Sequence, residues 1–499
     1  IVFGPDSRVD VAALVASTRD ITPDQFMEGD FEFAGDNTSA ITSQGEIVAR
    51  DGGLVMMIAA EIYQQGDITA PKGDVALVAG ERVVLDMGGP VRIEVESSRV
   101  DAHIENGGAI RADGGQVMLT ADAAHDLAAS AINNTGLIQA RTLSTGEHGG
   151  ISLRGGQSSS VDVAGRVDAT GEAADTGGGD IAISGESVTL DAGVEVDASG
   201  EVGGGDVRIG GGYQGDDTDM QNARQTVVQE GATLKADARI TGDGGDIIVW
   251  ADENTRYEGH LSATGGAEAG DGGFAEVSGK RTLDFRGTVD LTAAKGETGQ
   301  LLLDPYNLTI SDSDDKSIDD SGDAVFSASG SGSVLNTNTL IDALKTADVE
   351  VDTGSSGGES GDITIDDDLR WFEATTLTLD AAGSIELSAD TTVFAAGGGL
   401  NLQAGADISQ LSESTFNVKG DTALSADGDI DLDSASNQFQ GNVTVSGDTE
   451  ATAGNVTLRN SQRLTLDQVE AAHVTLNTAD GSDASIEVTG AFSANSLTV

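Results

Sequence analysis

Apolar and polar residues alternate along most of the chain, in short segments separated by glycine. Val161-Asp162-Val163 is one such segment, and Ile181-Ala182-Ile183 and Val188-Thr189-Leu190 repeat its pattern further along. Alternation with a period of two residues buries one face of a strand and leaves the other face in water. The pattern therefore predicts many short β-strands, each buried on one side only.

A longer repeat is superimposed on this alternation. Glycine, a variable residue, a large apolar residue, another variable residue and alanine recur in this order, each time followed by a glycine-rich turn and a second apolar strand. The apolar positions follow one another about 28 residues apart, except for one longer step from Val196 to Leu234. They are Ile110, Ile138, Val167, Val196, Leu234, Leu261 and Val289.

This period predicts the fold class. One unit of three short strands cannot bury its apolar face alone, but units stacked at about 4.8 Å bury that face and pair their backbones. We therefore predict an all-β fold, a right-handed parallel β-helix (solenoid) that forms a single elongated rod with loop excursions. Propeller blades run to about 40–50 residues, and sandwiches need regular hairpin turns such as Asn-Gly, so both are disfavoured.

The repeat divides the chain into three predicted regions. Residues 1–310 form a β-helix with coils of about 28 residues. Within them, an excursion at residues 213–225 accounts for the longer step, and residues 20–33 form a loop with an extra hairpin or cap. Residues 311–361 are a linker or excursion rich in Ser, Gly and Asp, with a helix predicted at residues 338–347. Residues 362–499 continue the β-helix with smaller coils, because their strands recur about every ten residues.

Composition supports this fold and limits the classes of partner that the protein can bind. The 499 residues include 69 Gly and 5 Pro, which suits tight turns and ladders that need every backbone N–H. The net charge of −58, with scattered basic residues, excludes nucleic acid as a partner and favours saline or calcium-containing surroundings. There is no Cys, hence no disulfide. The longest apolar run, residues 54–60, is far shorter than the roughly 20 residues of a transmembrane helix.

The sequence predicts no catalytic, cofactor-binding or metal-binding residues. Carboxylates are so numerous that no pair stands out, and the histidines are too far apart in sequence for paired metal-ligand spacing. Asp427, Asp429, Asp431 and Asp433 share one strand face; a solvated outer face is the favoured interpretation, and a calcium ladder is the alternative. The histidines are His103, His125, His148, His260 and His473.

Two further groups of residues have a structural and a functional interpretation. The segment Asp312-Ser313-Asp314-Asp315 imitates the start of an EF-hand loop, but no Gly or Glu follows at the required places, so a plain loop is expected. Trp250, Tyr257 and Phe274 recur near predicted strand ends. Stacking inside the coil or at its corners is the expected role of these aromatics, and a sugar-binding strip is the alternative.

Several segments together resemble a known family. Residues 1 to about 310 are similar to the N-terminal region of filamentous-haemagglutinin-family exoproteins of two-partner secretion. The family has an Asn-Pro-Asn secretion motif just before a segment like Ile1-Val2-Phe3-Gly4, so we expect the start of the chain to be truncated. The resembling segments are residues 11–18 (VAALVAST), 106–115 (NGGAIRADGG), 133–138 (NNTGLI), 210–215 (GGGYQG), 249–252 (VWAD) and 301–305 (LLLDP).

The resemblance implies a function and partners. Members pass through a dedicated outer-membrane transporter with periplasmic recognition domains, fold outside the cell, and act as adhesins, haemagglutinins or contact-dependent toxins. We therefore expect a secreted or cell-surface structural and adhesive protein, not an enzyme, with a host-cell, bacterial or matrix ligand. The alternatives are a β-helical polysaccharide-active enzyme and a self-assembling subunit of an extracellular filament.

Overall fold

The computed structural model describes the chain in two units. The first unit comprises Ile1–Ala275 and Leu291–Gly299, and the second comprises Glu276–Asp290 and Gln300–Val499. In both units nearly all regular structure is β-strand. The described residues are 1–29, 31–86, 92–97, 102–122, 131–144, 149–313, 333–354, 360–448, 452–478 and 485–499.

The first unit is a coil of short strands. The helical segments among its described residues are α1 (Pro23–Glu28) and a 3₁₀ turn at Tyr213–Gly215. The described strands are β1 (Val2–Phe3), β2 (Arg8–Val11), β3 (Leu14–Ser17), β4 (Phe31–Ala34), β5 (Ile41–Ser43), β6 (Glu46–Ala49), β7 (Leu54–Ala59), β8 (Glu61–Gln64), β9 (Asp67–Thr69), β10 (Asp74–Ala79), β11 (Arg82–Asp86), β12 (Arg92–Ser97), β13 (His103–Asn106), β14 (Ala109–Arg111), β15 (Gln116–Ala121), β16 (Ile132–Asn134), β17 (Leu137–Gln139), β18 (Gly150–Gly155), β19 (Ser160–Val163), β20 (Arg166–Asp168), β21 (Asp180–Ser184), β22 (Ser187–Leu190), β23 (Glu195–Asp197), β24 (Asp206–Ile209), β25 (Gln225–Val228), β26 (Thr233–Lys235), β27 (Asp246–Ala251), β28 (Asn254–Tyr257) and β29 (His260–Ser262).

Each coil of the first unit adds one strand to each of three parallel sheets. The first sheet contains β1, β5, β8, β13, β16, β19, β22, β25 and β28 in this order. The second contains β2, β6, β9, β14, β17, β20, β23, β26 and β29, and the third contains β3, β7, β10, β15, β18, β21, β24 and β27. Because every neighbouring pair is parallel and one coil apart, the predicted parallel β-helix is confirmed.

The register of the second sheet follows the apolar repeat. Ile110 pairs with Ile138, Ile138 with Val167, and Val167 with Val196. Leu234 continues the column, and all these side chains are fully buried. Stacked burial of equivalent residues in successive coils is therefore the physical origin of the repeated spacing.

Glycines just before this sheet form a second column. A Cβ atom at Gly108 would lie 2.1 Å from the carbonyl oxygen of Gly66, and one at Gly136 would lie 2.1 Å from that of Gly108. Gly165 is as close to Gly136. No side chain fits at such distances, so the first position of the repeated phrase must be glycine at each of these coils.

Part of the first unit lies outside the coil. β4 and β12 pair with β11 on either side, and both pairings are antiparallel. The insertion that contains β11 and β12 explains why Ile68 and Ile110 are register partners although the chain between them is longer than one ordinary coil. Together, α1, β4, β11 and β12 form a unit that we call the side module. The extra feature predicted at residues 20–33 is thus α1 and β4, whose partner strands the sequence did not reveal.

The second unit is also a parallel coil, and its described residues include the helix α2 (Thr337–Leu344). The strand β30 (Phe274–Gly279) contains the point where the chain first leaves the first unit. The remaining described strands are β31 (Thr282–Phe285), β32 (Thr288–Asp290), β33 (Gln300–Asp304), β34 (Leu308–Ser311), β35 (Ser333–Asn336), β36 (Asp348–Asp352), β37 (Ile363–Ile365), β38 (Leu369–Trp371), β39 (Leu377–Ala381), β40 (Ile385–Leu387), β41 (Thr392–Ala395), β42 (Leu400–Ala404), β43 (Ile408–Gln410), β44 (Thr415–Val418), β45 (Thr422–Ala426), β46 (Ile430–Leu432), β47 (Gln438–Phe439), β48 (Asn442–Ser446), β49 (Ala453–Asn460), β50 (Leu464–Thr478), β51 (Ile486–Val488) and β52 (Phe492–Thr498).

The coils of the second unit are smaller than those of the first. Leu377, Leu400, Thr422 and Val443 pair in succession, so that one coil spans about 22 residues. Three strands per coil are kept: β39, β42, β45 and β48 form one ladder, β40, β43, β46 and β49 a second, and β38, β41, β44 and β47 a third. The shorter period leaves less room for turns between strands.

The helix α2 lies where the spacing of apolar residues predicts a helix. Asn336 caps its N-terminus, since the side-chain oxygen accepts a hydrogen bond of 2.9 Å from the backbone N–H of Asn338. Leu340 and Leu344 are fully buried, one turn apart on the same face. The predicted linker also covers residues 314–332 and 355–359, which lie outside the described residues, and the three-region division stays a prediction.

Candidate functional site

The side module is built on an apolar outer face of the coil. Met56 and Ile58 on β7 and Ala76 and Val78 on β10 are fully buried, although a strand in a one-sided coil would expose alternate residues. Phe33 of β4 and Val83 of β11 cover them and complete the cluster. Because both faces of these strands are buried, their sequences are nearly continuous apolar runs and do not alternate with polar residues.

Polar contacts fix the position of the side module. Arg19, only 3% exposed, donates from Nε to the carbonyl oxygen of Gly80 at 2.9 Å and from a terminal nitrogen to that of Asn37. Arg82 of β11 pairs with Glu32 of β4 at 2.8 Å. A buried guanidinium that donates to two backbone carbonyls is a strong positional constraint, because losing those partners leaves a charge desolvated.

The helix α1 presents apolar side chains to solvent. Thr22 caps the helix, and Thr22 and Gln25 form a capping box, with the backbone N–H of Gln25 at 3.3 Å from the Thr22 hydroxyl. No residue of α1 is buried, and Phe26 and Met27 are 59% and 81% exposed. Phe31 packs edge-on against Phe26 with ring centroids 6.0 Å apart. A capped helix that buries nothing contributes little to the core, so its apolar face is available for a partner.

Carboxylates of the second unit stack on one another across coils. Asp352 is the register partner of Asp380. Burial, then the charges of Asp352 and Glu276, raise the pKa of Asp304 to about 7, with Lys280 acting in the opposite direction. Burial and the nearby Asp352 and Asp448 raise the pKa of Asp380 to about 6. These partly buried, neighbouring carboxylates therefore take up protons at a higher pH than isolated carboxylates do.

The predicted acidic run lies on the outer face of the coil. Ile430 and Leu432 point inward and are fully buried, whereas Asp429, Asp431 and Asp433 are exposed. Asp429 accepts a hydrogen bond of 2.7 Å from the backbone N–H of Asn455 in a later coil. Among the described residues, no group of three or more His, Asp or Glu side chains is arranged to hold a metal ion. The calcium ladder remains only an alternative interpretation.

The other candidates are dispersed. Asp312 is exposed beside Asp367, which raises its pKa, while Asp314 and Asp315 fall outside the described residues. His103 packs against the ring of Tyr63, and His473 hydrogen-bonds to Ser496 at 2.8 Å. His260 lies on β29, and His125 and His148 are outside the described part of the chain. Where they are described, the histidines do not form one site.

The aromatic candidates are mostly internal. Trp250 is 2% exposed and Tyr257 is fully buried, so they cannot form an exposed sugar-binding strip. The indole N–H of Trp250 donates to Asp252 at 3.0 Å, and a Cβ at Gly215 would lie 2.6 Å from the indole ring. The glycine-rich segment at residues 210–215 therefore packs directly on Trp250. Phe274 is half-buried beside Tyr213, with ring centroids 5.8 Å apart.

Comparisons with known proteins assign the start of the first unit to a class, the β-helical secretion domain. Residues 1–168 match the family model described as TPS secretion domain, that is, two-partner secretion. The crystal structure of the HMW1 secretion domain from Haemophilus influenzae is similar to this chain, with 25% sequence identity and a TM-score of 0.50. The match covers 60% of this chain and 77% of that one.

The chain therefore contains the N-terminal secretion region of a two-partner-secretion exoprotein, as the resemblance implied. Such a domain implies interaction with an outer-membrane transporter. Residues 373–446 match a model of repeats of unknown function, DUF5649. No curated protein matches the chain significantly. Within the described residues, no helix is long and apolar enough to cross a membrane.

Proposed function

We propose that this protein is an adhesive exoprotein, which its transporter delivers to the cell surface or the medium, where its β-helix binds cells or matrix. The observation that carries the proposal is the secretion domain at residues 1–168, followed by a longer stretch of chain whose described residues continue as stacked coils. A solenoid offers long ladders of outward side chains, a surface suited to binding. Its acidic composition keeps such a surface soluble.

We further propose that α1 and the side module contact the periplasmic domain of the transporter. They lie within the matched region and carry the exposed Phe26 and Met27. The side module is also a part of the first unit that departs from the regular coil, so it gives a transporter a feature that the later coils do not repeat. Such an apolar contact with the periplasmic domain would break when the exoprotein folds or is displaced, as transient recognition requires.

Secretion of variants tests this role. The double substitution Phe26→Ser and Met27→Ser, made in the full-length precursor expressed with its transporter, should lower secreted protein roughly tenfold, equivalent to about 1.4 kcal/mol of lost binding. The matched control is Val202→Ser and Ile240→Ser, two apolar residues of the first unit that are 38% and 41% exposed and lie outside residues 1–168. Equal secretion of both variants would contradict the transporter contact.

The adhesive, non-enzymatic role has its own test. Purified secreted protein should bind to cultured cells or matrix and saturate, and it should release no reducing ends from any polysaccharide it is incubated with. The absence of saturable binding to every cell type and matrix tested would overturn adhesion. Release of reducing ends, abolished by a single carboxylate substitution, would instead identify the polysaccharide-active enzyme that is the alternative.

A further inference from the structure

One face of the second unit differs from the rest in its chemistry. It is formed by the outward side chains of β38, β41, β44 and β47, and we call it the amide face. Their register places Arg370 beside Phe394, Phe394 beside Asn417, and Asn417 beside Gln438. Inward neighbours on the same strands, such as Trp371 and Phe416, are buried. The face is therefore held rigidly by the core behind it.

Aromatic rings and a cation meet at one end of the amide face. Phe372, which follows β38, is 69% exposed, and its ring lies edge-on to that of Phe394 with centroids 5.8 Å apart. The Nζ atom of Lys419 lies 5.8 Å from the centre of the Phe394 ring. The exposed Phe372 ring therefore packs against a ring that a cation also contacts, which restricts its orientation before any ligand arrives.

Side-chain amides continue the face along the coil. Gln440 donates from Nε2 to the Oδ1 atom of Asn417 at 3.3 Å, and Gln462 donates in the same way to Gln438 at 3.3 Å. Each amide has two N–H groups and two lone pairs. The hydrogen bonds between coils use only some of these groups, so further donors and acceptors face solvent. They recur at the spacing of stacked strands, about 4.8 Å.

The amide face is also nearly free of net charge. Residues 360–448 contain 16 Asp and Glu but only two basic residues, and those two are Arg370 and Lys419. Arg370 is balanced by Asp368, at 2.7 Å. Both cations of this segment are thus placed on one face, while the carboxylates dominate the others. An anionic polymer approaching this unit would be repelled by the surrounding carboxylates, and a neutral one would not.

We propose that the amide face binds a neutral polysaccharide lying along the stack of coils. The exposed Phe372 ring would pack against the apolar face of a sugar ring, and the amides of Asn417, Gln438 and Gln440 would exchange hydrogen bonds with hydroxyl groups. One coil advances by about the length of one sugar unit in an extended chain, so side chains of successive coils would meet successive sugar units. The inference rests on the proposed adhesive function for its biological meaning, but its test uses purified protein alone.

The test is affinity electrophoresis of the full chain through gels containing one of four neutral polysaccharides: dextran, mannan, galactan or a soluble β-glucan. At least one should retard the protein. The double substitution Phe372→Ala and Gln440→Ala should weaken the apparent affinity by about tenfold or more, since it removes one stacking contact and one amide. The control Leu411→Ala, which alters an apolar residue of the same unit that is 43% exposed and lies off the face, should leave it unchanged.

Each other outcome would overturn the proposal. These outcomes are no retardation by any of the four polymers, equal retardation of the double variant, or retardation only by alginate or DNA. Loss of concentration-dependent self-association in the double variant, without polysaccharide binding by the parent, would assign the face to contacts between copies of the chain. Failure here with intact binding to cells would leave the adhesive function standing on another surface.

Discussion

Examples from the two units show two ways of arranging charge on the outer face of a coil. In the first unit, basic residues of one coil pair with carboxylates of the next, as Arg141 does with Asp113 at 2.8 Å and Lys235 with Glu195 at 3.1 Å. In the second unit, carboxylates such as Asp352 and Asp380 stack on one another. The same backbone tolerates both arrangements, because outward side chains take no part in the core. Charge on a β-helix can therefore vary without changing the fold.

These two arrangements give Asp113 and Asp304 opposite responses to pH. Burial alone would raise the pKa of Asp113, but hydrogen bonds from Arg141 and Gln139 outweigh it and lower that pKa. A lowered pKa adds stability above the unfolded value near 4, and this stability is lost as the pH falls. For Asp304 the folded pKa of about 7 exceeds the unfolded value, so its contribution is full below pH 4 and is lost as the pH rises through 7.

The largest expected effect comes from a substitution in the glycine column of the first unit. Gly108→Ala should destabilise the first unit by at least about 3 kcal/mol, because its Cβ would lie 2.1 Å from the carbonyl oxygen of Gly66. Hydrogen exchange should show lost protection in the coils around β9, β14 and β17. The neighbouring Gly107→Ala is a matched control, since its Cβ would meet only the hydroxyl of Thr135, at 3.6 Å.

The same substitution can be made in the second unit. A Cβ at Gly420 would lie 2.2 Å from the carbonyl oxygen of Gly398, so Gly420→Ala should remove protection around β42, β45 and β48. If Gly108→Ala and Gly107→Ala had equal melting profiles, the glycine column would not be the reason for the repeated phrase.

The next effect sharpens the pH contrast. Asp304→Asn should stabilise the second unit by about 2 kcal/mol at pH 8 and change its stability little at pH 4. At pH 8 the substitution removes a negative charge that folding buries beside other carboxylates. Denaturant titrations at both pH values, followed by hydrogen exchange within β33 and β36, measure this. The exposed Asp366→Asn is the control, and an equal gain there would point to net charge alone.

A smaller effect is expected from the first unit. Arg141 contacts Asp113 through two nitrogens, at 2.8 and 3.2 Å, and also Glu172 at 2.8 Å. Arg141→Met should lower the free energy of unfolding by about 1–2 kcal/mol at pH 7. The effect is not larger because the side chain is 28% exposed and solvent partly screens the ion pair. The loss should shrink as the pH falls below 4 and Asp113 takes up a proton. A loss independent of pH would mean that packing of the arginine stem, rather than charge, is what matters.

The smallest effect is that of salt. Raising sodium chloride from 20 mM to 500 mM should stabilise the second unit by roughly 0.5–1 kcal/mol more than the first, because it screens stacked carboxylates there but weakens ion pairs in the first. Calcium chloride at matched ionic strength should add nothing. A calcium-specific gain reversed by EDTA would instead favour the calcium ladder among the acidic residues.

The coil itself was predictable because its cause is local and repeated. Ile110, Ile138 and Val167 follow one another at nearly equal intervals, so their stacking can be inferred from the sequence. The partner strands of β4 could not be inferred, because β11 lies far along the chain and its pairing is antiparallel within a parallel fold. Antiparallel contacts between distant segments leave no periodic signal.

The candidate surfaces were harder to predict than the fold. Phe394, Asn417 and Gln438 are ordinary residues in the sequence, and only the register of three strands places them in one column. Asp352 and Asp380 likewise become neighbours only because β36 and β39 pair in successive coils. The acidic run at residues 427–433, conspicuous in the sequence, lies instead along the outer surface of a single strand and its flanking turns. Contacts across coils, rather than local clusters, create the distinctive surfaces.

In the three parallel sheets of the first unit, a strand pairs with the strand one coil earlier and the strand one coil later. A coil can therefore be duplicated or removed as a block, because the new neighbours present the same glycine and the same apolar side chain as the old ones. Length then becomes an adjustable trait, and a lineage could lengthen or shorten the β-helix of this unit by copying or deleting the segment for one coil, without remodelling any interior contact.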